Sequence, residues 1–120
     1  MKPNVRAAIA YIVGRSVTQK NTSAVYDYDN GQYRSMNGQV SDGRINVYDY
    51  SSSCYIMGNL QGNRGNLYHY GTGNYVQIAI QGNSFTGFDY DTSSYYQGNV
   101  SGNTVTLYDY EDGRYHNYSV

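Results

Sequence analysis

One cysteine, two histidines and no tryptophan stand in this 120-residue chain, and charged side chains make up only 14% of it. The single thiol, Cys54, excludes an intrachain disulfide framework and the common zinc clusters, and a small residue within a strand reads as packing. A net charge of −1 argues against a dedicated polyanion binder, so nucleic acid is not an expected partner. Long hydrophobic runs are missing as well. The apolar stretch Ala7–Val13 is far too short to span a bilayer, and Arg15 follows it with no small-residue cleavage site. Neither a membrane span nor a secretion signal is expected, which leaves the cytoplasm as the default location. Leu, Ile, Val and Phe are scarce, and 17 tyrosines carry much of the apolar surface instead. Tyrosine buries a ring but keeps a hydroxyl that needs a partner or water, which suits a half-exposed sheet better than a dry core.

What is present is a repeat. Val-Tyr-Asp-Tyr or a near copy recurs five times, at Val25–Tyr28, Val47–Tyr50, Leu67–Tyr70, Gly87–Tyr90 and Leu107–Tyr110, with a first step of 22 residues and later steps of 20. A second tyrosine follows each block after five residues. Fixed-period self-similarity means an array of small identical units. Each unit holds two short runs rich in Tyr, Val and Thr with period-two alternation, the signature of strands. Tight turns are expected at Asp42-Gly43, Gly62-Asn63, Gly82-Asn83 and Gly102-Asn103, whose residue types tolerate positive φ. A second set of turns follows each tyrosine block.

The fold predicted is an all-β, repetitive antiparallel meander of five hairpins and about ten strands, twisted or curled, behind a short N-terminal helix. A β-solenoid is the alternative. It would stack Asp27, Asp49, Asp89 and Asp109 at the strand spacing of about 4.8 Å, where like charges repel, so the meander is preferred. Both repeat lengths are even, which keeps every unit the same way out, and the two extra residues of the first unit, within Tyr33–Gly38, preserve that parity. With a four-residue second turn, Tyr28 would face Tyr33, Tyr50 would face Tyr55, and so on through Tyr110 and Tyr115. One face would then be aromatic. The other would carry Ile45, Val47, Ile56, Leu60, Leu67, Val76, Ile78, Ile80, Phe85, Val100, Val105, Leu107 and Val120. Glycines 58, 65, 87 and 98 interrupt this aliphatic face, so it is expected to be the concave one.

The chain divides into residues 1–24, helix and linker, and residues 25–120, the tyrosine-rich repeats. Asn4 could cap the helix and Gly14 could end it, with Val5, Ala8, Ile9, Ile12 and Val13 on one face. Such a helix is expected to dock on the sheet as a cap, with Ser16–Ser23 as polar linker. Short aromatic hairpins with glycine turns resemble, in kind, the choline-binding cell-wall repeats and the MORN repeats. The first class relies on tryptophan, and the second has a glycine-glutamate-tryptophan-like core that Y-x-x-G-N-V does not reproduce. No functional residue is carried over from either.

Catalysis needs convergent unlike groups, whereas the titratable residues here repeat. No enzyme, cofactor or metal site is expected. His69 stands where the other units carry Asp, and this position reads as an Asx-type cap on the following turn. The expected function is a non-enzymatic structural or protein-interaction module. A homo-oligomer is expected through terminal strands or aliphatic faces, because strand Tyr115–Val120 has no lysine or proline to protect its edge. The alternative is a glycan or small-ligand binder that uses the tyrosine face, with Tyr55, Tyr68, Tyr70, Tyr75 and Tyr90 as the central ligand-binding residues.

Overall fold

The computed structural model describes residues 1–120. Helix α1 (Pro3–Thr18) precedes ten strands: β1 (Ala24–Asp27), β2 (Gln32–Ser41), β3 (Arg44–Asp49), β4 (Cys54–Gln61), β5 (Arg64–His69), β6 (Asn74–Gln81), β7 (Ser84–Asp89), β8 (Ser94–Ser101), β9 (Thr104–Asp109) and β10 (Arg114–Ser119). Each strand pairs antiparallel with its sequence neighbours, and β10 pairs with β1, so the meander closes into a barrel. The curl needed to hide the aliphatic face has gone to completion. Closure also removes the open edge at β10, because Tyr26 pairs with Ser119 and Asp27 with Tyr118. Both surfaces that argued for self-association, the free edge and the bare aliphatic face, are therefore used within one chain.

The turn chemistry fixes both ends of the barrel. At the hairpin rim, Asp42-Gly43 and Gly62-Asn63 have positive φ at both residues, the type I′ pattern. Gly82-Asn83 and Gly102-Asn103 have it only at the glycine, the type II′ pattern. The opposite rim carries loops of four residues, but they begin one position earlier than the sequence reading placed them. Asp49 pairs with Cys54 and Tyr48 with Tyr55, leaving Tyr50–Ser53 as loop. The facing pairs are therefore Tyr26–Tyr33, Tyr48–Tyr55, Tyr68–Tyr75, Phe88–Tyr95 and Tyr108–Tyr115. The aspartate stays in the ladder because its carboxylate must reach forward into the turn. The next tyrosine leaves it to bond sideways, as when the Tyr50 N–H donates to the Ser35 carbonyl at 3.1 Å.

The two extra residues of the first unit lengthen β2. Tyr33, facing Tyr26, stands four residues before Asn37, which faces Tyr48, whereas Tyr55 stands two before Met57, which faces Tyr68. The first hairpin is thus staggered further than the others, with every side chain still on its proper face.

The helix departs most from expectation. It is not a cap on the sheet but the content of the barrel, with Val5 through Arg15 all buried. Neither expected terminus holds. Asn4 lies inside the helix, Lys2 precedes its first turn without a side-chain cap, and the helix runs past Gly14 to a left-handed Gln19. Gly14 instead lets the helix lie flush on the wall, since a Cβ there would sit 2.7 Å from Val120 Cγ1 and 3.2 Å from Val105 Cγ2. Ala7, Ala8 and Ala10 keep the other sides of the helix slim enough for the lumen. Helix and wall share one core of 23 residues.

At the far end Arg15 and Tyr11 fasten the helix and linker to β2. Arg15 Nη1 donates to the Gly38 carbonyl at 2.7 Å and to the Tyr11 hydroxyl at 3.1 Å, and Nη2 donates to Asn21 Oδ1 at 2.9 Å. Ile78, fully buried in the middle of the wall, measures what the aliphatic lining contributes. Ile78→Ala is expected to cost about 2–4 kcal/mol, read as a lower denaturant midpoint at unchanged slope.

Candidate functional site

Two bands of side chains gather at the end of the barrel where the four-residue loops lie, one outside and one inside. Strand alternation separates them, because in each V-Y-D-Y block the tyrosines point out and the Asp points in.

Outside, the tyrosines form a girdle of five clusters. In each, a half-buried central ring is flanked by two exposed ones. Tyr68 meets Tyr70 at 4.8 Å and Tyr75 at 5.0 Å between ring centroids, both edge-to-face. The same triad recurs around Tyr26, Tyr48, Phe88 and Tyr108. The ten flanking rings are 47 to 74% exposed. Edge-to-face packing explains the central rings, at about 0.5–1.5 kcal/mol per pair. It leaves the outer faces of the flanking rings in water.

Of the sequence-predicted residues, Tyr68, Tyr70 and Tyr75 share one cluster. Tyr55 belongs to the neighbouring cluster around Tyr48, and Tyr90 to the cluster around Phe88. Backbone bonds join the clusters: the Tyr70 N–H donates to the Tyr55 carbonyl and the Tyr90 N–H to the Tyr75 carbonyl. Between Tyr75 and Tyr90 lies a notch of about 370 Å3 whose other walls are Asn66, Gly73 and Asn74. The sequence reading did not single out the two asparagines. Asn66 is two residues before Tyr68 and shares its face, so parity could have placed it. Towards the hairpin rim the outer wall is polar, with Asn46, Gln77, Gln97, Asn99 and Asn117 exposed. This reverses the apolar outer band of a barrel that crosses lipid. No helix is long and apolar enough to cross a membrane.

Inside, Asp27, Asp49, Asp89 and Asp109 are all buried at the rim. Each accepts the backbone N–H two residues ahead through Oδ1, at 2.9, 2.9, 3.0 and 3.0 Å. These are the Asx-type turns read from the sequence. A donor three residues on completes the first three, namely Asn30 Nδ2 at 2.7 Å, Ser52 Oγ at 2.9 Å and Thr92 Oγ1 at 3.3 Å. In the fifth unit that place is held by Asp112, which brings a second carboxylate instead. There Asp109 Oδ2 takes Arg6 Nη1 at 3.1 Å and the Met1 ammonium at 3.0 Å. Cations let these like charges share one rim: the Met1 ammonium and Arg6 sit on Asp109, and Arg34 Nη2 lies 3.7 Å from Asp49 Oδ2. Burial pushes the Asp89 carboxyl up, while its bond from the Asp91 N–H pulls the other way.

His69 does the aspartate's work in the third unit: its Nδ1 accepts the Thr72 N–H at 3.2 Å. That bond leaves the proton on Nε2, which points to Cys54 Sγ at 3.9 Å. An imidazole whose basic nitrogen is already occupied cannot take a proton from the thiol, and burial pushes the Cys54 thiol up. The pair is packing rather than a nucleophile and its base. Burial also holds the His69 imidazole low, against the raising effect of Asp49, Asp89 and Asp91. The unfolded chain therefore takes up a proton first. The stability tied to neutral His69 is present above the ordinary value of 6.5 and is lost as pH falls through it towards the folded value. His69→Asn, which keeps an acceptor for Thr72, is expected to shrink the loss of denaturant midpoint between pH 7.5 and pH 5.5.

His116 closes the barrel seam. Its Nδ1 meets Asp29 Oδ2, on the first hairpin loop, and its Nε2 meets Asp112 Oδ2 at 2.7 Å. Although partial burial opposes it, the bond and charge of His116 hold the Asp112 carboxyl low. Ligand atoms of Asp109, Asp112 and His116 lie within 4.8 Å of one another, a spacing that could hold a metal. Arg6 already supplies the positive charge there, 3.1 Å from Asp109 and 3.9 Å from Asp112. Asp112 lies only 4 residues from His116, but Asp29 lies 87 residues away and meets it only because the barrel closes.

Compared with protein-family models, curated proteins and solved structures, the chain matches none.

Proposed function

We propose that the protein is a non-enzymatic binding module that presents its tyrosine girdle to a neutral, repetitive glycan. The observation that carries this reading is the notch between Tyr75 and Tyr90. Two exposed aromatic rings line a gap that Asn66, Gly73 and Asn74 complete; Asn66, on the outer face, offers its side-chain amide, whereas that of Asn74 already donates to the Thr72 carbonyl and Asp91 Oδ1. A sugar ring offers C–H faces to aromatic rings and hydroxyls to amides, and the notch supplies both kinds of partner. The rigid barrel holds flanking tyrosines in equivalent pairs around its circumference. A ligand of repeating units would engage weakly at each pair and gain by multivalency.

The reading as a purely structural array or protein-interaction module loses its two motives for self-association once edge and aliphatic face are both enclosed. It keeps one: the central rings of the girdle tie loop to strand whether or not anything binds. A glycan array probed with the wild type and with a Tyr75→Ala, Tyr90→Ala variant separates the two readings. Both rings are more than half exposed, so the variant is expected to stay folded and to lose at least about tenfold in apparent affinity, as loss of several weak contacts does under multivalency. A wild type that binds no glycan leaves the girdle structural. Binding that survives in the variant places the ligand elsewhere.

A further inference from the structure

The end of the barrel away from the girdle is not filled. The helix packs against β1, β2, β8, β9 and β10. At the level of Gly14 it is pressed onto Val105 and Val120. The aliphatic position that recurs once per unit is therefore treated unequally. Val100 is buried and Val120 half-buried on the helix side, while Leu60 and Ile80, on β4 and β6 away from the helix, and Val40, at the rim end of β2, are half-buried. The result is an open cleft of about 670 Å3 at the hairpin rim. Its floor is Val17, Val40, Ile45, Leu60 and Ile80, and its mouth is formed by Ser16, Gln19 and the turns Asp42-Gly43, Gly62-Asn63 and Gly82-Asn83.

The charges at this mouth favour one kind of occupant. Asp42 is the only ionisable group lining the cleft, and it makes no salt bridge. The C-terminal end of α1, the negative end of its dipole, opens at the same place. The cations nearby are turned elsewhere: Arg44 and Arg64, which follow two of the turns, begin β3 and β5 on the outer face, opposite to Ile45 and Gly65. Arg15 is held by carbonyls of Gly38 and Lys20, and Lys20 Nζ bonds Asn103 Oδ1 on the turn that does not line the cleft. A branched aliphatic floor beneath a mouth whose only lining charge is Asp42 suits a small amphiphile with a cationic head. We infer that the hairpin-rim cleft is a second binding site, distinct from the girdle, for an aliphatic ammonium compound whose chain lies on Val40, Leu60 and Ile80 and whose head faces Asp42 and the end of the helix.

The test is calorimetric titration of the full chain with octyltrimethylammonium, 1-octanol and octanoate, each below its micellar concentration. Saturable one-to-one binding is expected, with the ammonium tightest and the carboxylate weakest. Asp42→Asn should weaken the ammonium by about two- to fivefold, the range of an exposed ion pair, and leave the alcohol unchanged. Asparagine suits the positive φ of that turn position, so this variant is expected to fold. Leu60→Gln with Ile80→Gln should abolish binding of all three, its fold being checked by circular dichroism. Should that double variant not fold, the wild-type ranking and Asp42→Asn still decide. No saturable binding of the ammonium, octanoate binding as tightly as the ammonium, or an Asp42→Asn variant with unchanged ammonium affinity would each overturn the assignment.

Discussion

Alanine in place of Gly87 is expected to cost more than about 4 kcal/mol or to prevent folding, beyond the ordinary range of single substitutions. A Cβ at this position would lie 2.0 Å from the Gln77 carbonyl oxygen and 2.3 Å from the Tyr96 ring. Neither can withdraw cheaply. The carbonyl belongs to the ladder and accepts the Tyr96 hydroxyl at 2.8 Å, and the ring is fully enclosed in the wall. Burial pushes that hydroxyl far above the ordinary tyrosine value, and the charge of Asp89 adds to the effect. The repeat shows why the glycine is there. Facing inward pairs are Val47–Ile56, Leu67–Val76, Gly87–Tyr96 and Leu107–His116. The fourth unit has moved volume from one strand to the one facing it. A Gly87→Leu, Tyr96→Val double variant restores the pairing of the third unit and, by removing the ring but not the carbonyl, is expected to recover part of the loss in thermal or urea melts. No recovery would mean that the approach of the Gln77 carbonyl, rather than the ring, demands glycine.

Ala10→Glu is expected to be comparably severe, at more than about 4 kcal/mol, because it places a carboxylate without a partner in the lumen. The position decides between two placements of the helix. Val5, Ala8, Ile9, Ile12 and Val13 would be covered either way, but Ala7, Ala10 and Tyr11 lie off that face and would be wet if the helix merely capped the sheet. In the barrel all of them are fully buried. A capping helix would tolerate glutamate at an exposed site within about ±0.5 kcal/mol. Chemical denaturation of the variant reads the difference directly, and a wild-type midpoint would place the helix outside the barrel.

Much of the architecture was legible because it is written in local rules repeated five times. Even repeat lengths keep tyrosines out and aliphatics in. Gly-Asn and Asp-Gly set two-residue turns, and an Asp at the strand end, or His69 in the third unit, caps the next loop. These settle an antiparallel meander with unlike faces, and they show in any one unit without reference to the others. The loop start was misread by one position because the step depends on where the Asp carboxylate finds its donor. Tyr26 and Tyr28 share the face opposite to Asp27, so parity lets either of them face Tyr33 and cannot report that choice.

The amino-acid sequence by itself determined the hairpins, their parity, and which side of the sheet is aromatic. Tertiary structure decided what lies inside. Whether a curled sheet stays open or closes depends on the stagger summed around all ten strands and on what must fill the lumen. Neither quantity belongs to one repeat. The helix segment is apolar enough for a cap or a plug, and only the closed wall turns Ala7, Ala10 and Gly14 from neutral choices into clearances. Closure likewise brings His116 against Asp29 across the seam, and it lets the off-centre helix leave Val40, Leu60 and Ile80 beside an open cleft. Contacts such as these join the ends of the chain, and their energies arise only after the chain has closed on itself.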